Sequence, residues 1–339
     1  MTDCNVGVSI FLYLCMQKNV GMDGNARHKW EMVGIGALLH FLVDGLCLCC
    51  LYLLVSPFNL QNFLGVFILY NVLAFLTQPL TGLWADRMRD KHWMLLLSVV
   101  LLALAVLTMS FHSSFSCYLV PVLTGMGNSL FHVWGGKQVI LKAGNDMRAL
   151  GLFVSTGAFG LAVSMVFSSM SLLFVFLLAI SLLAVGYVRL EKRDEGLEIN
   201  SGPSSLPSGG VGGGFLLFLI VAFVVFRSFM GESFSSAIVK NDMVVLLVGL
   251  IAMLGKMAGG WLACRLGVIW MMAIVLTVAL GCLLCRSSER YVMLTGLFAI
   301  NCTMPVTLYW ANNLLKGREG LAFGLLAAAL IPGYLLTTL

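Results

Sequence analysis

Residues 82–87 read GLWADR and residues 260–265 read GWLACR, the same short pattern repeated at a shift of 178. An apolar run of membrane-crossing length precedes each copy and another follows it. A match this short is weak by itself. Its recurrence at the junction of the second and third apolar runs of each half makes it the mark of an internal repeat.

Working outward from these junctions, the composition excludes a soluble protein. The 339 residues are 60% hydrophobic and 10% charged, with a mean hydropathy of +0.98, where a soluble domain carries roughly 25% charged residues. The 20 basic and 15 acidic side chains are too few to cover a water-exposed shell, so most of the outer surface must face lipid. A soluble enzyme, a nucleic-acid binder and a secreted disulfide scaffold are thereby excluded. Most of the ten cysteines, Cys47, Cys49, Cys50, Cys264, Cys282, Cys285 and Cys302 among them, lie in or beside apolar runs and read as small apolar residues. Thiolate and thioether groups also bind copper, but no paired Met-x-x-x-Met stands beside Cys47, Cys49 and Cys50 or beside Cys282 and Cys285, and no metal or cofactor is expected.

A bilayer core takes about 20 apolar residues per helix. On that template the chain offers eleven spans, at roughly 32–55, 61–81, 93–111, 117–141, 149–168, 171–188, 215–235, 243–263, 268–285, 291–314 and 320–338. Runs this long must be helical, because an open sheet cannot satisfy its backbone in lipid. Sixteen of the twenty Lys and Arg, Lys137 and Lys256 included, count to one side; Lys240, Arg286 and Arg290 count to the other, and Arg227 lies inside a span. That asymmetry places the N-terminus and the basic loops in the cytoplasm. The net charge of +5 therefore reports topology before it reports any partner.

Arg189 to Gly214, rich in charge and then in Ser, Pro and Gly, reads as a flexible linker. The expected organisation is an N-terminal cytoplasmic segment at 1–31, a six-helix bundle at 32–188, the linker at 189–214 and a five-helix bundle at 215–339. Two parallel helical repeats are the plan of a major facilitator transporter.

Residues 82–92, GLWADRMRDKH, closely resemble the loop signature of the major facilitator superfamily. HFLVD at 40–44, TQPLTGLWAD at 77–86, GMGNSLFH at 125–132, and Phe153, Gly157 and Gly160 resemble more narrowly its fosmidomycin-resistance, drug-efflux branch. The similarity runs from about Gly34 to about Gly333. The sequence departs from that branch at Val133, where Pro is usual, at Cys264, where Asp is usual, and at Ser164 and Met165, where antiporters carry Gly-Pro. With its last residue at Leu339 it also offers one span fewer than twelve, which puts the C-terminus outside and leaves a flank of the second bundle for a partner, a second copy or lipid. The resemblance implies a cytoplasmic gate built from Gly82, Asp86, Arg87 and Arg89, in which the carboxylate caps a neighbouring helix end. Positive-inside topology accounts for the basic residues but not for Asp86.

Several polar side chains fall within spans. His40 and Asp44 are four apart and share a helix face. Asp44 lies 12 residues into the first span and Arg227 lies 12 into the seventh, each about 18 Å deep and so near mid-membrane. A pseudo-two-fold plan places them across a central cavity, where an intramembrane charge is functional by default; a static ion pair is the alternative. His132 sits nearly level with His40. Two imidazoles there either bind an anion and carry a proton or form ordinary interhelical hydrogen bonds. Asn128 and Asn301 fall at similar depth, as cavity lining or as helix glue.

The expected protein is thus an all-helical, multi-pass transporter of a bacterial inner membrane, using alternating access to couple proton movement to efflux of a small anionic or drug-like molecule. Uptake of an anionic nutrient by proton symport, or a non-transporting membrane protein, are the alternatives. No GxSxG, HExxH or phosphate-binding loop is present, so no enzyme is expected and energy must come from an ion gradient.

Overall fold

The computed structural model describes residues 24–55, 60–88, 92–109, 111, 115–194, 211–239, 241–285 and 289–338. Among them all regular structure is helical. Eight helical stretches are long and apolar enough to cross a membrane. Trp93–Met109 and Val268–Leu284 are apolar but shorter, at 17 residues each, or about 26 Å. Ser116–Ala143 is 28 residues long but carries the polar GMGNSLFH stretch. These eleven stretches coincide with the eleven expected spans.

In chain order, α1 is Gly24–Val55 and α2 Leu60–Asn71. A π-helical turn, Val72–Leu76, joins α2 to α3, Gln78–Arg87, within one membrane stretch. Pro79 at the start of α3 has no N–H to return to Phe75, which accounts for the widened turn. Then follow α4 Trp93–Met109, α5 Ser116–Ala143, α6 Met147–Phe167 and α7 Met170–Asp194. The second half holds α8 Val211–Ser236, α9 Asp242–Leu266, α10 Val268–Leu284, and the broken pairs α11 Arg290–Asn301 with α12 Met304–Leu314 and α13 Glu319–Ala328 with α14 Leu330–Thr338.

α1 packs on α5, α6 and α7, and α4 on α5; in the second half α9 and α10 pack on α11, and α8 on α11 and α14. The halves meet where α6 runs along α9 and α3 along α13. Small residues permit these approaches. A Cβ at Gly160 would meet the Phe41 carbonyl, and one at Gly249 would meet Ala162, so backbones close without a hydrophobic drive that lipid does not supply. Large apolar residues lie outermost, among them Ile269, Trp270, Leu182 and Leu284, as a lipid-facing surface requires.

Three expectations change. Residues 195–210, the body of the expected linker, and residues 1–23 lie outside the described residues, but α7 runs past Arg189 to Asp194 and α8 begins at Val211. The α7 extension is anchored by Glu191, fully buried beside Lys142 at 3.5 Å and His92 at 3.3 Å. The first helix begins at Gly24, ahead of position 32. Lys256, counted above with the basic loops, stands inside α9; a single Lys in an apolar run adds to the loop count without belonging to a loop.

Candidate functional site

A cavity of roughly 160 Å³ lies between the halves, lined by His40 and Asp44 of α1, His132 of α5, Arg227 of α8 and Lys256 of α9. Its remaining wall is largely apolar, with Phe75, Leu161, Met304 and Phe323 among the lining. Asp44 and Arg227 are 7% and 5% exposed, so both charges are withdrawn from bulk solvent. The cavity wall supplied by the first half is acidic and imidazole-rich, and that supplied by the second half is cationic.

Backbone geometry orients the first-half group. His40 Nδ1 lies 2.7 Å from the Phe153 carbonyl, and His132 Nδ1 lies 3.0 Å from the Asn128 carbonyl. A carbonyl can only accept, so both Nδ1 atoms carry the hydrogen. The two Nε2 atoms therefore point at each other, 2.9 Å apart. Asp44 brings its carboxylate to 3.2 Å from His40 Nε2 and 3.4 Å from His132 Nε2. Asn128, fully buried, donates to Asp44 Oδ1 at 3.0 Å. Gly157 makes room for the group, since a Cβ there would strike Asp44 and the His40 ring. The ligand atoms of His40, Asp44 and His132 lie within 4.8 Å of one another, a set able to hold a cation.

The second-half group is less tied. Arg227 Nε is buried without a hydrogen-bond partner among the described residues. Such an unmet guanidinium donor is costly, and an anion is the kind of group that would satisfy it. Lys256 is half-buried and lines the same space. The sequence reading missed it, although its position inside the 243–263 apolar run was a usable signal.

Asn301 is not at this site. Its amide donates to the Leu297 carbonyl of its own helix at 2.9 Å, and it does not line the cavity. Asn128 supports Asp44 from behind rather than lining the cavity.

At the end of the bundle carrying the basic loops, Asp86 on α3 accepts from the backbone N–H of Gly320 and of Leu321, both at 2.9 Å. These are among the N-terminal N–H groups of α13 that no intrahelical carbonyl can meet. Lys137 on α5 joins them, 3.3 Å from Asp86 and donating to the Ala85 carbonyl at 2.7 Å, so it ties α5 to the same junction of α3 and α13. Gly82 lies against the Gly320 carbonyl. Arg87 is exposed, and Arg89 lies outside the described residues.

No protein-family model matches the chain, and no curated protein matches it. Its fold does match solved structures. The human organic anion transporter MFSD10 (TETRAN) superposes with a TM-score of 0.67 at 16% identity, over 93% of each chain. The E. coli fucose:proton symporter FucP gives 0.61 at 12% identity, over 92% of this chain and 90% of that one, and a second structure of FucP, a major facilitator superfamily transporter in its outward conformation, gives 0.62 at 14%, over 91% and 89%. A bacterial homologue of the iron transporter ferroportin, in an outward-facing state, gives 0.57 at 17%, over 90% of each. The chain therefore has the all-helical membrane fold of the major facilitator transporters.

Proposed function

We propose that the protein is a secondary transporter that exports a small anionic, drug-like molecule in exchange for protons by alternating access. The observation that carries this reading is the cavity between the halves, to which the first half brings Asp44, His40 and His132 and the second brings Arg227 and Lys256. The cations seat the anion. The Asp44 group carries the proton, and rocking of bundles 32–188 and 215–339 exposes the cavity to each side in turn. The resemblance of 40–44, 77–86 and 125–132 to the fosmidomycin-resistance branch supports export and an inner-membrane location. With the N-terminus in the cytoplasm, the Asp86 latch closes the cytoplasmic side.

The test uses proteoliposomes with an imposed pH gradient and a panel of labelled phosphonates and other organic anions. Gradient-driven movement of at least one anion is expected. Asp44→Asn should reduce it to background while binding survives, and Arg227→Lys should weaken binding because a point charge does not reproduce a guanidinium fork. Undiminished pH-driven accumulation by Asp44→Asn would sink the reading. Symport in the uptake direction is the second reading, favoured by the likeness to a fucose:proton symporter, and the sign of the gradient that drives accumulation separates the two.

A further inference from the structure

With both rings neutral, His40 Nε2, His132 Nε2 and the Asp44 carboxylate are all acceptors, and they converge with no donor among them. Both imidazoles have their Nδ1 hydrogens committed to backbone carbonyls, so neutral rings turn bare lone pairs toward each other and toward a carboxylate. This arrangement calls for a cation at its centre. A proton satisfies one pair of these atoms at a time, whereas a metal ion satisfies all three together.

The spacing suits a metal. Bonds of about 2.0–2.2 Å at angles between 90° and 110° set ligand atoms about 2.8–3.6 Å apart, and the observed separations are 2.9 Å between the two Nε2 atoms, 3.2 Å from His40 Nε2 to Asp44 Oδ2 and 3.4 Å from His132 Nε2 to Asp44 Oδ1, so the carboxylate meets the two rings with different oxygens. Each imidazole is held through its other nitrogen by a carbonyl, and the carboxylate is held by Asn128; this is the outer shell that orients metal ligands. Two imidazoles and one carboxylate select a borderline transition-metal ion over Mg²⁺ or Ca²⁺, which take oxygen ligands. Arg227 and Lys256 line the same cavity and would repel a bare dication. They would not repel one that arrives with an anion attached.

We propose that the transported species is a chelate of a divalent transition-metal ion with a small multivalent anion, its metal held by His40, His132 and Asp44 and its remaining anionic oxygens by Arg227 and Lys256. The proposal rests on the anion-transport reading and adds the metal to it.

The test uses the full chain, purified and stripped with chelator, with Co²⁺ as probe because its visible d–d absorption reports ligand type and geometry. Co²⁺ alone should bind weakly and near one per chain, and added citrate should tighten it at least tenfold. Mg²⁺ should not compete. His132→Gln should weaken Co²⁺ by more than the 10–100-fold typical of outer-shell changes, and Asn128→Leu should fall within that range. Arg227→Gln should leave Co²⁺ binding in place but abolish the effect of citrate. Unfolding curves identify any variant that fails to fold, and His40→Gln then replaces it. Absence of Co²⁺ binding, or binding untouched by both histidine changes, overturns the proposal. If organic anions still move down a pH gradient at full rate with chelator present on both sides, the metal is excluded while the anion-transport reading stands. If Co²⁺ binds but neither citrate nor any anion of the panel is bound or moved, the chelate and that reading fail together.

Discussion

The GLWADR corner and the GWLACR corner are built alike and fastened differently. At the first, Gly82 on α3 lies against the Gly320 carbonyl at the start of α13. At the second, Gly260 on α9 lies against the Met147 carbonyl at the start of α6. Each junction thus presses a glycine onto the N-terminus of a helix from the other half. The first helix end is then capped from across the interface, by Asp86. The second has Cys264, exposed, at the position equivalent to Asp86. Its helix is capped from within by Asp146, which accepts from Arg148 N–H at 2.9 Å. Arg148 folds back on Asp146 at 2.7 Å and lies over Trp30 and Trp261 at 5.8 and 5.5 Å. A cap from across the interface breaks when the halves separate, whereas a cap within one helix travels with it. The comparison teaches that the repeat preserves the close approach and that only the first corner ties the cap to the state of the interface.

The largest effect is expected where the corners agree. Gly82→Val and Gly260→Val each drive a side chain into backbone of the other half, which cannot move aside cheaply, so both should reduce proteoliposome transport to background. Tolerance of one and not the other would break the equivalence. Next is Asp86→Asn, which keeps the size but weakens an ionised acceptor of two N–H groups. Loss of a helix cap costs about 0.5–2 kcal/mol, or about two- to thirtyfold in the population of the closed state. Turnover should fall accordingly. Thr307→Cys in the cavity, in a background without native cysteines, should react faster with an impermeant thiol reagent added from the basic end.

Asp146→Asn should cost stability without this change in accessibility, because its cap is the same in either state; increased labelling of Thr307→Cys in that variant would make the two corners equivalent after all. The Asp146 carboxyl is raised by burial, but hydrogen bonds from the Arg148 side chain and backbone outweigh that and hold it below its ordinary value. Its contribution is therefore complete above the usual carboxylate pKa of about 3.9 and is lost as pH falls through the lowered value. Between pH 7 and 5, thermal stability should show no Asp146-dependent change between the protein and Asp146→Asn. The smallest effect is Cys264→Ser, expected to be silent in transport and labelling, since neither side chain supplies a charged acceptor; a severe defect would show that the second corner has a role the geometry does not reveal.

Much of this molecule was legible in the chain. Apolar runs report span number because a membrane helix must satisfy its backbone internally over a set length, and the two loop motifs reported the repeat. Asp44, His40, His132 and Arg227 stood out because a charge or imidazole in an apolar run has few reasons to be there. The same reasoning misplaced Lys256, whose charge was entered in a topology count although its span was already drawn, and it gave Asn301 the weight of Asn128 because depth alone does not fix the face a helix presents.

Sequence by itself determined the helical membrane class, the number and order of spans and the presence of two related halves, because hydropathy and repeat spacing are properties of contiguous segments. Tertiary structure alone decided that the Nε2 atoms of His40 and His132 meet over Asp44, that Lys256 joins Arg227 in the cavity lining, and that Asp86 reaches a helix end 234 residues away. Those outcomes depend on how each helix is rotated about its own axis and on which chain-distant helix it meets. Packing of small residues and buried hydrogen bonds sets both, and neither is written in the local pattern of a single span.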